Sequence, residues 1–219
     1  MKSLRNAVTA FAVMLAMVFA ATSARAITPG TSLIAIHVGG GDVDWVQPAG
    51  TAGYITSQVK LPSLRFGAEY WHVMANDKAV TLSGGLGYFS ETDKPGSGAT
   101  AGSPDFKSTV SSFHVRLGAD DMYKVTDKVT LYMGPGIQYG SSKFKFVAGT
   151  TTDEAPTVTT WALDGRFGGM CKVNKSVAMG GCLGHSFGIS SASKDGAKAN
   201  WTSTGFYGEG SLVFSFGGE

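Results

Sequence analysis

Hydrophobic and polar positions alternate with a period of two over most of this chain. The stretch HVRLGADD at 114–121 shows the pattern. Val115, Leu117 and Ala119 fall on one face, and His114, Arg116, Gly118 and Asp120 on the other. That period belongs to a β-strand, because successive side chains leave a strand on opposite sides. Eight segments read this way: 31–40, 62–74, 79–89, 109–125, 129–140, 158–173, 177–189 and 203–217. Glycine, proline, asparagine, aspartate and serine clusters separate them, as strand-bounding turns do. Long helical periodicity is absent, so the fold class is all-β.

The segments repeat in pairs. Arg65-Phe66-Gly67, Arg116-Leu117-Gly118 and Arg166-Phe167-Gly168 recur 51 and 50 residues apart. Each opens a hairpin closed by a short polar turn: Asn76-Asp77-Lys78, Thr126-Asp127-Lys128 and Asn174-Lys175-Ser176. These are ordinary hairpin-loop residues. Long polar stretches follow at Ser90–Ser108, Ser141–Thr157 and Ser190–Thr202, and a first long loop spans 41–61. A repeat near 50 residues also occurs in kelch-type propellers, but a blade needs four strands and each unit here has two. Short turns alternating with long loops predict an up-and-down barrel. The hairpins set the parity, with Met74 expected opposite Val80, Val125 opposite Val129 and Val173 opposite Val177.

One face then collects large apolar residues from every strand, among them Ile36, Phe66, Leu82, Leu117, Ile137, Leu163, Leu183 and Leu212. The other collects His37, Arg65, Glu69, His114, Arg116, Asp120, Asp164, Arg166, Tyr207 and Glu209, interleaved with glycine, serine, threonine and alanine. A soluble barrel of the lipocalin kind would put the apolar face inside, and a membrane barrel puts it outside. Residue size decides. The polar face of strands three, five and seven is small, and that of strands two, four and six is long and charged. Small beside large is how a narrow interior is filled. The lysines sit mainly in turns and loops. Tyr88, Phe113, Tyr139, Trp161, Phe187 and Phe206 gather on the apolar face near the long-loop ends, as an interfacial aromatic girdle does.

Composition refines this picture at the N-terminus. Lys2 and Arg5 precede an apolar run from Ala7 to Ala20, and Ala24-Arg25-Ala26 has the small-x-small form of a cleavage site. Residues 1–26 therefore read as a cleaved secretory signal peptide, leaving 27–219 as a single barrel domain. The run is short for a membrane anchor, and no later segment is long and apolar enough for a transmembrane helix. The leader carries three of the 18 basic residues and none of the 16 acidic ones, so the remainder has 15 against 16, a net charge of −1. No basic run points to nucleic acid.

With these features the chain resembles the small eight-stranded outer-membrane proteins of Gram-negative bacteria, the OmpA-type and opacity-type barrels. The terminal strand GEGSLVFSF shares in the likeness, although Gly217-Gly218-Glu219 follow Phe216, where such chains end on the aromatic residue. The resemblance implies short turns in the periplasm and long loops outside the cell. It implies lipid and lipopolysaccharide as surroundings, the barrel-assembly machinery as a partner, a monomer, and no cofactor. It implies a non-enzymatic protein with a structural or surface-recognition (adhesion) role. A narrow pore for small solutes is the alternative, and a lipid A-modifying enzyme a third.

The inward charges, Arg65, Glu69, His114, Arg116, Asp120, Asp164, Arg166 and Glu209, are expected to pair, because an unpaired buried ion costs several kcal/mol. Such a network either plugs the lumen or lines an ion-selective pore. Pro135 removes a ladder donor in mid-strand and predicts a bulge or kink. In Gly184-His185-Ser186-Phe187-Gly188, His185 falls on the lipid face and Ser186 on the inner one, unlike the deacylases, whose histidine and serine share a face. The four histidines are scattered, so no zinc-type cluster is expected. Asp42 and Asp44 in the first loop could contribute to calcium binding, but two carboxylates alone are weak evidence for a site. Cys171 should oppose residue 179, which puts Cys182 on the other face and predicts two free thiols.

Overall fold

The computed structural model describes residues 27–46, 63–93, 105–154, 156–194 and 197–217. The expected leader, residues 1–26, lies outside them. The strands are β1 (Ser32–Val46), β2 (Ser63–Val73), β3 (Lys78–Asp93), β4 (Phe106–Lys124), β5 (Val129–Ala148), β6 (Thr151–Glu154), β7 (Val158–Lys172), β8 (Val177–Lys194) and β9 (Ala197–Phe216). All pair antiparallel. β1 bonds to both β2 and β9, β4 bonds to β5, and β5 bonds to β7, so eight strands close into a ring. β6 is an accessory strand that pairs only with the far end of β5.

The alternation sorts the two faces as the sequence predicts. Arg116 is 3% exposed, while its neighbours Val115 and Leu117 are 44% and 57% exposed. Large apolar side chains stand out from every strand of the ring, from Ile36 on β1 to Leu212 on β9. A belt of that extent is incompatible with water and matches the outer surface of a membrane-spanning barrel. No helix among the described residues is long and apolar enough to cross a membrane; the strands make the crossing.

The short turns are built by side chains. Thr126 Oγ1 accepts from the amides of Lys128 and Val129 at 3.2 and 3.0 Å. Asn174 Oδ1 does the same for Ser176 and Val177, both at 2.9 Å. The two turns close on Val125–Val129 and Val173–Val177, as the parity argument requires. The first turn differs. It is a 3-10 turn at Ala75–Asp77, with Asp77 at φ 58°, and Val80 pairs with His72 rather than Met74. The slip is two residues, so no side chain changes face.

Pro135 makes neither bulge nor register shift. Pairing of β4 with β5 stops after Gly118–Gly136 and resumes at Asp121–Met133 in the same register. The missing amide opens the ladder locally and leaves the strands aligned, while β5 stays paired with β7 at Pro135–Gly165. The larger departure is at the long-loop end. β3, β5 and β8 run to Asp93, Ala148 and Lys194, β1 runs to Val46, and β9 begins at Ala197, so much of what reads as loop is strand. The outward-apolar pattern stops there and on β5 reverses, with Lys143 and Lys145 exposed and Phe144 buried, but backbone pairing continues. These extensions carry a small cluster of their own, with Val110, Phe144 and Val158 buried against Phe89, Phe146, Ala192 and Trp201.

Candidate functional site in the barrel lumen

Five charged side chains meet inside the barrel: Glu69 from β2, Arg116 and Asp120 from β4, and Asp164 and Arg166 from β7. All are buried. Arg116 Nε donates to Asp164 Oδ2 at 2.8 Å, and its Nη1 donates to Thr81 Oγ1 at 2.9 Å. Arg166 grips two carboxylates. Its Nη1 donates to Glu69 Oε2 at 2.9 Å, and its Nη2 lies 2.7 Å from Glu69 Oε1. Its Nε donates to Asp120 Oδ1 at 3.2 Å, and Nη2 also donates to Asp120 Oδ2. The planar fork of arginine suits this double engagement, which lysine could not reproduce. Tyr207 on β9 donates its hydroxyl to Asp164 Oδ2 at 2.8 Å. Ion pairs and hydrogen bonds thus tie β2, β3, β4, β7 and β9 across the lumen.

Small residues on the intervening strands make the room. A Cβ on Gly136 would stand 2.6 Å from Arg116 Cζ and collide with Asp164 Oδ1. A Cβ on Gly184 would collide with the Tyr207 ring. Gly136→Val is therefore expected to wedge the Arg116–Asp164 pair apart and to destabilise the barrel by about 1–3 kcal/mol or more. Equilibrium unfolding in detergent or vesicles checks this. Gly84→Ala, on the lipid side with 3.6 Å to the nearest atom, should be close to neutral.

Beneath the charges, toward the short turns, the lumen is apolar. Leu33, Ala35, Trp71, Val73, Ala79, Met122, Tyr132, Met170, Ala178 and Val213 belong to one buried cluster. Trp71 and Tyr132 meet edge to face with centroids 4.9 Å apart. The Arg166 guanidinium lies 5.5 Å from the first ring and 5.4 Å from the second. The same group thus faces carboxylates and π-systems, which anchors the polar layer to the apolar floor. The sequence reading emphasised the inward charges and passed over this floor. The signal was available: Trp71 shares the parity of Glu69, and Tyr132 that of Gly134. On the outer face, Phe113, Tyr139 and Trp161 stand side by side, 6.0 and 4.9 Å between successive ring centroids. Tyr88, Phe187 and Phe206 are exposed on the same face.

No protein-family model and no curated protein matches the sequence. Solved structures match in fold. Ail, the attachment invasion locus protein of Yersinia pestis, aligns with a TM-score of 0.50 at 15% identity, covering 86% of this chain and 99% of that one. Outer membrane protein AlkL, solved in DMPC bilayers, aligns with a TM-score of 0.50 at 10% identity, covering 89% and 94%. The fold is that of the small outer-membrane β-barrels.

Within this outer-membrane barrel, the remaining sequence candidates separate by face. His185 is exposed on the lipid side, where its Nε2 lies 3.0 Å from Thr204 Oγ1. Ser186 points inward and donates to the Gly205 carbonyl at 3.4 Å. The two do not meet. Cys171 pairs with Met179 and is exposed, Cys182 is buried, and both thiols are free. The side chains of Asp42 and Asp44, weighed above for calcium, lie outside the described set.

Three expected members of the ion network, Arg65, His114 and Glu209, sit apart from it. Arg65 has no carboxylate within 4.0 Å among the described residues; its guanidinium instead lies 5.6 Å from the Tyr207 ring centroid. It is four residues nearer the long-loop end than Glu69, beyond reach of the main layer. His114 likewise lies two residues beyond Arg116. The expectation of scattered histidines is corrected at this level: closure of the barrel brings His37 beside His114 and Glu209. The strands that carry His37 and His114 are separated by β2 and β3, a proximity that sequence spacing conceals.

Proposed function

We propose that this chain is a non-enzymatic outer-membrane protein whose closed barrel holds a rigid long-loop end for surface recognition. The observation that carries the reading is the filled lumen. Two guanidiniums and three carboxylates are cross-bonded above a packed apolar floor, which argues against a continuous water column. A scaffold without a conduit leaves the loops as the variable, partner-facing part. The strands continue past the aromatic girdle and carry a small core there, which supports a built display surface.

Anionic headgroups of the outer leaflet are the proposed lipid partner. Lys143 and Lys145 on β5 are exposed and lie four and six residues past Tyr139 of the girdle, on the same face. Cations at that depth meet phosphate while the rings meet the acyl boundary. Ail has been solved with the heparin analogue sucrose octasulfate, so the same strip is proposed to favour polyanions. The test of closure is single-channel recording in a planar bilayer. The pure protein should give no stable unitary current; a large, sustained one would replace this reading with that of a solute pore.

A further inference from the structure

We propose that the lumen holds a transition-metal site made by His37, His114 and Glu209, suited to a divalent cation of the zinc class. One ligand-capable atom from each of the three lies within 4.8 Å of the others. Two imidazoles and a carboxylate are a recurrent zinc donor set, which leaves a fourth position for water or an exogenous ligand.

The backbone shows that this meeting is built. His37 pairs with Gly67, Gly67 with Gly85, and Gly85 with His114, one unbroken row across β1 to β4. The two residues between the histidines are both glycine. A Cβ on Gly67 would collide with His37 Nε2, and one on Gly85 would stand 2.6 Å from His114 Cε1. Each imidazole therefore leans over a glycine toward the other. Any larger residue at either position would drive the rings apart.

The second observation is an unpartnered buried ring nitrogen. His37 is 4% exposed, and its Nε2 is buried without a hydrogen-bond partner. Leaving such an atom bare costs about 1–3 kcal/mol. Nε2 is the atom that overhangs Gly67, on the side facing His114. The other ring nitrogen, Nδ1, lies 3.7 Å from Glu209 Oε2.

Charge around the site is mixed. Arg65 is within electrostatic reach of His114, which opposes a cation. Its guanidinium is drawn over Tyr207, and the ion-paired layer below carries three carboxylates against two guanidiniums. His114 and Glu209 are only partly buried, so an ion entering from the long-loop side can reach them, while the packed layer blocks the other side. The competing account is a purely structural His37–Glu209 pair.

The test is titration of the folded full-length protein, in detergent, with zinc chloride alone. One saturable equivalent is expected. His114→Ala and His37→Gln should each weaken it by about tenfold or more, while His72→Ala and His185→Ala, on the outer face, leave it unchanged. Folding is checked by heat-modifiable gel migration. If a variant does not fold, the wild type decides: copper with ascorbate should oxidise His37 and His114, located by mass spectrometry. Absence of saturable zinc binding would overturn the proposal. So would binding untouched in both inner variants, or oxidation confined to His72 and His185.

Discussion

Arg166→Ala is expected to destabilise the barrel by about 3–5 kcal/mol, the cost of breaking a buried charge pair from one side. The reason lies in what is left behind. Glu69 and Asp120 each take two contacts from this guanidinium. Without it, two carboxylates stand together in a closed interior with a single cation, Arg116, nearby. The aromatic pair beneath also loses its cation. Urea unfolding in lipid vesicles reads the effect. Adding Glu69→Gln and Asp120→Asn to Arg166→Met should restore much of the loss, because the triple change removes charge along with its partners. A single-variant cost below about 1 kcal/mol would mean that water, not arginine, solvates these carboxylates.

The second large effect is expected on the opposite face, one residue away from the same network. Leu117 is flanked across the strands by Leu82 and Ile137, both more than half exposed like itself. Leu117→Arg should cost about 2–4 kcal/mol, the penalty for a cation near the bilayer midplane on the lipid side of a barrel. Lys143→Ala, beyond the girdle, should scarcely change stability. The comparison of positions 116 and 117 makes the point sharply: adjacent residues tolerate opposite chemistries. If Leu117→Arg unfolds at the wild-type denaturant concentration, the apolar face is not in lipid.

Much of this architecture was legible in the sequence, and the reason is geometric. A period of two cannot be shifted without turning every side chain over, so three short turns were enough to fix both faces. The Arg-x-Gly repeats located the charged layer, though not which arginine meets which carboxylate within it. Residue size then identified the inside, since Gly136 and Gly184 have no reason to be bare unless something long reaches over them. What stayed hidden depends on closure. Which residues meet across the lumen is set by stagger between strands, and a linear pattern does not carry stagger. His37 and His114 illustrate this, as does Arg65, which shares a motif with two network arginines yet stacks on Tyr207. The strand ends were hidden for another reason. Past the girdle the alternation inverts, with Lys143 and Lys145 exposed and Phe144 buried, so the outward-apolar pattern that reports a membrane strand stops while the hydrogen bonds persist.

Those persistent strands have a mechanical consequence. From Tyr139 at the girdle to Ala148 at its tip, β5 extends for roughly 30 Å at 3.3–3.4 Å per residue. At the tilt of such barrels this lifts the tip by roughly 20–25 Å. Paired ladders bend little, so the protrusion acts as a short stiff mast rather than a tether. It sets a standoff: a partner that touches the tips is held clear of the lipid headgroups, and one too broad to pass between neighbouring molecules of the cell surface never reaches the girdle at all.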